Sequence, residues 1–243
     1  MNYPRKISAP VSILMPVCNE AEVIEDVIEE WVRDVFQDLP EGSEFLIDEA
    51  ASKDGTRDIL QRLCHRYPFI KVDYHEVKDG FAAATRRLYA RATCPLVFFT
   101  DSDGQYVAED FWKLAKHIDR YDLVHGAKLG RKDPFLRRLC SMLFNKLASF
   151  LFEMHYLDMN SAFRLMRIEV IKDTLKDLVI MPTLINAEFL LRCELKDYDI
   201  RQVHIRHRQR KFGRSRGLPL LRYPFAAFRA GMALFELKES YRK

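Results

Sequence analysis

Apolar residues fall along the first half of the chain in short blocks alternating with longer, spaced stripes. Residues 11–15 form a compact apolar run closed by Pro16, which predicts a strand. Asn19-Glu20 then opens a stripe in which Val23, Ile24, Val27, Ile28, Trp31 and Val32 recur at helical spacing. Phe45-Leu46-Ile47 predicts a second strand ending at Asp48-Glu49. The turn Ser52-Lys53-Asp54-Gly55-Thr56 opens a helix through Ile59, Leu60 and Leu63. Residues 70–74 give a third strand, Asp79-Gly80 starts an alanine-rich helix, and residues 95–100 give a fourth strand. A helix through Phe111, Leu114, Ala115 and Ile118 and a strand over 122–128 continue the series. This alternation predicts an α/β fold built from βαβ units, with a mostly parallel sheet and helices on both faces.

The polar positions sharpen that picture. Three strands end in acid-bearing turns: Asn19-Glu20, Asp48-Glu49 and Asp101-Ser102-Asp103. In open α/β sheets the carboxyl ends of strands line the ligand crevice. Asp101, Asp103 and Gln105 follow a buried run and are spaced two apart, so they can converge from one face as the chain turns. Two carboxylates and an amide oxygen are hard ligands that suit Mg²⁺ or Mn²⁺, with substrate phosphates completing the shell. On these residues alone, a polar turn that only caps the next helix fits equally well.

Residues 135–154 carry a long apolar stripe (Leu136, Cys140, Leu143, Leu147, Phe150, Met154), with Arg137, Arg138, Ser141, Lys146 and Ser149 outside it. Core packing and a lipid-facing role both fit that pattern. Glu188 sits on an otherwise apolar helix; it reads either as a core-edge acid or as a site carboxylate, and Asp158 poses the same choice.

Composition narrows the classes. The chain has 243 residues, 48% of them hydrophobic, and a net charge of only +4. Its charge is uneven: residues 200–235 contain no Asp or Glu but carry Arg201, Arg206, Arg208, Arg210, Lys211, Arg214, Arg216, Arg222 and Arg229. That asymmetry points to an anionic partner. The tail reads as a lid over phosphates, a clamp on anionic headgroups, or a nucleic-acid patch. Base stacking would need aromatics among the arginines, and only Phe212 is so placed, which favours lid and membrane over nucleic acid. Phe225, Phe228, Met232 and Phe235 share one side of a final helix. The five cysteines are odd in number and lack a C-x-x-C, as in a reduced cytosolic protein. No eighteen-residue apolar stretch or signal-peptide core is present. Neither G-x-G-x-x-G nor a P-loop occurs.

Five motifs, in order, resemble the family 2 inverting glycosyltransferases, a GT-A fold family. Met15-Pro16-Val17-Cys18-Asn19-Glu20 resembles their P-x-x-N-E start. Glu49-Ala50-Ala51-Ser52-Lys53-Asp54-Gly55-Thr56 resembles D-D-G-S-x-D-G-T. Asp101-Ser102-Asp103-Gly104-Gln105 resembles the D-x-D-x-Q of the polyprenyl-phosphate branch. Asp158-Met159-Asn160-Ser161-Ala162-Phe163-Arg164 resembles its D-x-x-S-G-F-R. Arg210-Lys211-Phe212-Gly213-Arg214-Ser215-Arg216 resembles its R-x-x-G-x-S-K. The likeness spans roughly residues 1–216 as a catalytic domain, and leaves 217–243 as an amphipathic, basic-aromatic tail packing on the domain or on a membrane.

The resemblance implies a metal-dependent hexosyltransferase, similar to dolichyl- or polyprenyl-phosphate mannosyl- and glucosyltransferases without transmembrane helices. It implies that Asp101, Asp103 and Gln105 hold Mg²⁺ or Mn²⁺. Pro16, Cys18, Glu20, Asp48, Glu49, Ser102, Arg210 and Arg216 would meet a nucleotide-diphosphate sugar such as GDP-mannose or UDP-glucose. Lys128, Arg137 and Ser141 would meet the acceptor phosphate, with Asp158 or Glu188 nearby, and Asp101, Asp103 and Arg210 would carry catalysis. The expected setting is the cytoplasmic face of a membrane, held peripherally. The chain departs from the family pattern at Ala50 and Ala51, at Lys78-Asp79-Gly80-Phe81-Ala82-Ala83-Ala84, at Gly126-Ala127-Lys128 and at Ala162. Two rival readings also fit the sequence. One is transfer to a hydroxyl, with Asp158 or Glu188 as base; the other is a non-catalytic anion-binding scaffold.

Overall fold

A computed structural model describes residues 4–128, 135–154, 156–210 and 223–241. Seven strands form one sheet: β1 (Val11–Val17), β2 (Glu44–Ala50), β3 (Ile70–His75), β4 (Leu96–Phe99), β5 (Leu123–Lys128), β6 (Arg164–Arg167) and β7 (Ile200–Ile205). Their spatial order is β3-β2-β1-β4-β6-β5-β7. Every pairing is parallel except those of β6, which runs antiparallel to both β4 and β5. Six strands therefore end at one edge of the sheet, and β6 begins there.

The helices are α1 (Ile24–Asp34), α2 (Thr56–Arg66), α3 (Phe81–Arg91), α4 (Phe111–Ala115), α5 (Phe135–Phe152), α6 (Ile168–Thr174), α7 (Ile185–Leu195) and α8 (Tyr223–Ser240). β4 shows why its sequence is apolar throughout rather than alternating. Phe98 packs on Trp31 of α1, Phe111 of α4 and Phe163, at ring separations of 5.1, 5.1 and 4.7 Å. Phe99 meets Phe81 and Tyr89 of α3. With helices on both faces, every side chain of such a strand is buried.

β1 extends past its expected end and contains Pro16, paired in register with Asp48. Leu14 accepts from Thr100, the last bond between β1 and β4. Residues 14 and 16 present their backbone groups to the same side, so the missing Pro16 N–H faces a strand that has already ended. The ladder loses nothing.

The four-residue β6 and the helix that follows it went unpredicted. Arg164 and Arg167 bracket only Leu165-Met166, too short a run to register as a strand. The proposed boundary at 216/217 falls outside the described residues. α8 lies along α5, with Leu234 and Leu237 fully buried.

Candidate active site

Two loops at the sheet edge are stitched into one floor. Asn19, at φ 49°, receives Lys53 N–H on its side-chain oxygen at 2.7 Å and gives its own N–H to Ser52 Oγ at 2.6 Å. Glu20 N–H reaches Thr56 Oγ1 at 2.9 Å, Ala21 N–H reaches Asp54, and Asp54 caps Thr56. Cys18 donates to the Ala50 carbonyl at 3.2 Å. Ala51 holds φ 52°, the left-handed region, where a residue bearing Cβ costs roughly 1 kcal/mol. The N-E and S-x-D-G-T motifs thus act first as a mutual brace.

β2 presents two buried carboxylates on opposite faces. Asp48 takes a two-pronged contact from Arg87 of α3, at 2.7 and 2.9 Å, and lies 3.0 Å from His75 Nε2. Glu49 accepts from Arg57 at 2.6 Å and from Ser52 N–H. Asp79 joins Arg87, which holds the Asp79 carboxyl below its usual range. The expected nucleoside contacts at Asp48 and Glu49 therefore fall on carboxylates already bonded to the protein's own guanidiniums.

Past Phe99 the chain turns through Asp101, Ser102 and Asp103. Gly104 adopts φ 71°, and a Cβ there would stand 3.3 Å from Val27. Gln105 N–H bonds Asp103 Oδ1 at 3.1 Å, while the Gln105 amide nitrogen gives to the Arg208 carbonyl at 3.2 Å. The Gln105 side-chain oxygen is the atom left for a cation. Burial, then the charge of Asp103, push the Asp101 pKa up to about 7. Lys128 and Arg164 oppose that rise and Glu20 adds to it. Crowded, under-compensated hard oxygens suit a dication. Among the described residues no three Asp, Glu, His or Cys side chains gather as a metal cage. A pair of carboxylates completed by substrate phosphates is how Mg²⁺ is usually held.

The residues after β7 form a strap across this turn. Arg206 binds Asp110 and Glu109, Tyr106 bridges His207, Arg208 N–H bonds Gln105, and the Arg208 guanidinium reaches Glu30 at 2.6 Å. The strap delivers Arg210 to Glu20, with 2.7 Å to each carboxylate oxygen, and to within 4.0 Å of Asp103. Glu20, Asp103 and Arg210, far apart in sequence, are thereby brought together.

A second cationic corner lies beyond Asp101. Lys128 Nζ stands 3.8 Å from Asp158 and 5.3 Å over the Tyr106 ring. The Tyr106 hydroxyl bonds Ala162 N–H and lies 3.3 Å from Ser161 Oγ. Gly126 admits no side chain, because a Cβ would come 2.8 Å from the Phe163 carbonyl. Beneath sits Arg164, fully buried, whose guanidinium gives to the Ser161 and Asn186 carbonyls and lies over the Phe189 ring. His125 is its register partner across the strands. Burial, helped by Arg164, drops the His125 pKa to about 4, so the ring is neutral. The D-x-x-S-x-F-R motif reaches the crevice because β6 runs backwards and starts at that edge.

Some expected residues are placed elsewhere. Glu188 accepts the N–H groups of Val179, Ile180 and Met181 and the guanidinium of Arg192. Fully buried and gripped by five N–H donors, it clasps the loop before α7. Pro16 and Ser102 are buried, and Ser141 is half-buried on α5. The Arg137 side chain and the whole of Arg216 lie outside the described residues. The sequence alone gives no role to Arg87, Tyr106 or Arg164. Only Arg164 carried a signal, as the last letter of a motif.

The fold and its crevice define the class of nucleotide-diphospho-sugar transferases with the GT-A architecture. Among solved structures, glucosyl-3-phosphoglycerate synthase from Mycobacterium tuberculosis, in complex with Mn²⁺, uridine diphosphate and phosphoglyceric acid, matches with a TM-score of 0.71. The identity is 18%, over 95% of this chain and 79% of that one. The mannosyltransferase PcManGT from Pyrobaculum calidifontis, with GDP-Man and Mn²⁺, matches with a TM-score of 0.60 at 17% identity, over 97% and 76% of the two chains. The family model for Glycosyl transferase family 2 matches residues 12–175, and the chain belongs to that family. A dolichyl-phosphate hexose transferase of Haloferax volcanii is 26% identical over 204 residues, covering 82% of this chain and 83% of that protein. Among the described residues no helix is long and apolar enough to cross a membrane.

Proposed function

We propose that this glycosyltransferase moves a hexose from a nucleotide-diphosphate sugar to a polyprenyl or dolichyl phosphate, with inversion, at a membrane surface it meets peripherally. The observation that carries the reading is the pairing of two cationic corners about one carboxylate turn. Arg210 comes within 4.0 Å of Asp103, and Lys128, held beside Asp158, acts electrostatically on Asp101.

Joining two anionic reactants requires positive charge on both sides of the reacting carbon. A lipid phosphate is already ionised at neutral pH, so its oxygen attacks the anomeric carbon without a general base. The bond from that carbon to the diphosphate breaks on the opposite face, and its electron pair leaves with the nucleotide. Arg210, parked on Glu20 in this structure, would turn its planar fork to the diphosphate as charge grows there. Lys128 would hold the incoming phosphate, with Tyr106 and Asp158 fixing the ammonium. A divalent cation held by Asp101 and Asp103, with Gln105 beside them, would neutralise the departing diphosphate. Arg164 keeps buried positive charge behind the carboxylates.

Mannose and glucose donors, as GDP-mannose or UDP-glucose, are the first substrates to try, given what the similar proteins bind or transfer. The test is Asp103→Ala in a Mn²⁺-supplemented transfer assay, where a loss of roughly 10²–10³ in rate is expected. Full activity in that variant overturns the reading. Transfer to free sugars but not to a polyprenyl phosphate would favour a hydroxyl acceptor, for which Asp158 is the remaining carboxylate base.

A further inference from the structure

The outer faces of α5 and α8 form an apolar ridge that the described residues leave uncovered. On α8, Phe225, Phe228, Met232 and Phe235 recur at spacings of three and four, and each is between 48% and 67% exposed. On α5, Leu143 and Phe150 share a face and are 55% and 81% exposed. These helices are not short of a core-facing side. Leu234 and Leu237 are fully buried, Gly231 faces Leu147, and Lys238 donates to the Leu151 carbonyl. Residue numbers rise together across that contact, so the helices run in the same direction. Each buries one stripe and shows a second. An ordinary surface helix would carry charges on the outer stripe, and a contiguous apolar surface marks an interaction site.

Charge selects the partner. Arg229 lies exposed within the α8 stripe, its guanidinium 6.0 Å from the Phe225 ring, and Lys146 lies exposed between Leu143 and Phe150. From residue 200 through Phe235 the sequence has no acid, and acids return only at Glu236 and Glu239. Large apolar side chains mixed with cations, with acids held to one end, complement an anionic bilayer surface. There aromatics enter the headgroup boundary while Arg and Lys keep their charge among lipid phosphates.

The ridge is tied to the acceptor corner. Asn145 of α5 donates to the Leu157 carbonyl at 3.1 Å, Leu157 precedes Asp158, and Asp158 faces Lys128. We infer that the α5–α8 ridge rests on an anionic lipid bilayer. In this position the phosphate of a membrane-borne acceptor meets Lys128 while its hydrocarbon chain stays in lipid. The inference draws its purpose from the lipid-acceptor reading; its support is the surface itself.

Vesicle flotation of the full chain tests it, using phosphatidylcholine with and without phosphatidylglycerol. The wild type should float with the anionic vesicles. The double variant F150E/F228E should lose about tenfold in partitioning, since it removes two exposed aromatic anchors and adds repulsive charge. Val179→Glu, at an exposed apolar position on the loop before α7, should float as the wild type does. Both altered side chains are solvent-exposed, so the variant's melting temperature should be unchanged. Equal flotation of F150E/F228E and wild type would overturn the ridge as the docking face. So would absence of wild-type flotation, or a concentration-dependent dimer that these substitutions split. Transfer to a water-soluble short-chain polyprenyl phosphate keeps the two readings apart. F150E/F228E should retain it; if wild type floats yet glycosylates no polyprenyl phosphate, the acceptor reading fails and the ridge stands.

Discussion

At the scale of single residues, the charge around Asp101 has a measurable signature. Its carboxyl is pushed up to about 7 by burial and by Asp103. A carboxyl with a raised folded pKa binds its proton more tightly in the folded state than in the unfolded one, where the ordinary value is about 4. Its contribution to stability is therefore complete below that ordinary value and is lost as pH rises from about 4 to about 7. Without metal, the melting temperature of Asp101→Asn should gain on the wild type across that window and hold its lead above it. Mn²⁺ should restore the wild type at and above neutral pH, because metal and proton compete for the same oxygens, and should leave the variant unmoved. Parallel melting profiles of the two proteins from pH 4 to pH 8 would mean that Asp101 is not crowded. Arg164 bears on the same balance, and an isolated guanidinium costs too much to bury for solubility to explain its place.

At the scale of elements, what the sequence made legible tracks how each piece earns its burial. β1, β2 and β4 announce themselves because strands covered on both faces carry compact apolar runs, Ile13-Leu14-Met15, Phe45-Leu46-Ile47 and Leu96-Val97-Phe98-Phe99. β6 does not, since its two inner residues are flanked by arginines and its place depends on neighbours distant in the chain. Glu188 shows the same limit. An acid on an apolar helix is visible in sequence, but the three N–H groups that claim it belong to a loop whose position only the fold decides. Removing this clasp should therefore read out as stability. Glu188→Ala strands Arg192 and the three N–H groups, and should cost roughly 3–5 kcal/mol in chemical denaturation. Transfer by the surviving folded fraction should continue, with an unchanged pH–rate profile. A stable variant that has lost an ionisation from that profile would instead make Glu188 a base.

At the scale of the molecule, the candidate crevice is assembled from segments that are strangers in sequence. The motifs pointed to Asp101, Asp103, Glu20 and Arg210, because polar residues at strand ends are few and their order is informative, and the fold brings Glu20, Asp103 and Arg210 together. They could not show that Asp48 and Glu49 are neutralised by Arg87 and Arg57, since those pairings depend on which helix crosses which strand. Nor could they show that residues 206–210 are strapped across the D-x-D turn. This last arrangement makes a prediction about the whole protein. If the strap pre-positions Arg210, donor and dication bind to a site largely formed, and their binding energy appears as added stability. With Mn²⁺ and donor at a hundredfold over its Kd, linkage gives about 2.7 kcal/mol. For a chain of this size that is a rise in Tm of roughly 5–10 °C. The rise should need metal and donor together, and should separate guanine from uracil donors, which the sequence does not distinguish. Arg210→Gln should shrink the shift for the intact nucleotide diphosphate and leave that for the nucleoside alone unchanged. An equal shift in wild type and Arg210→Gln would show that the strap holds Arg210 for Glu20 and not for the donor.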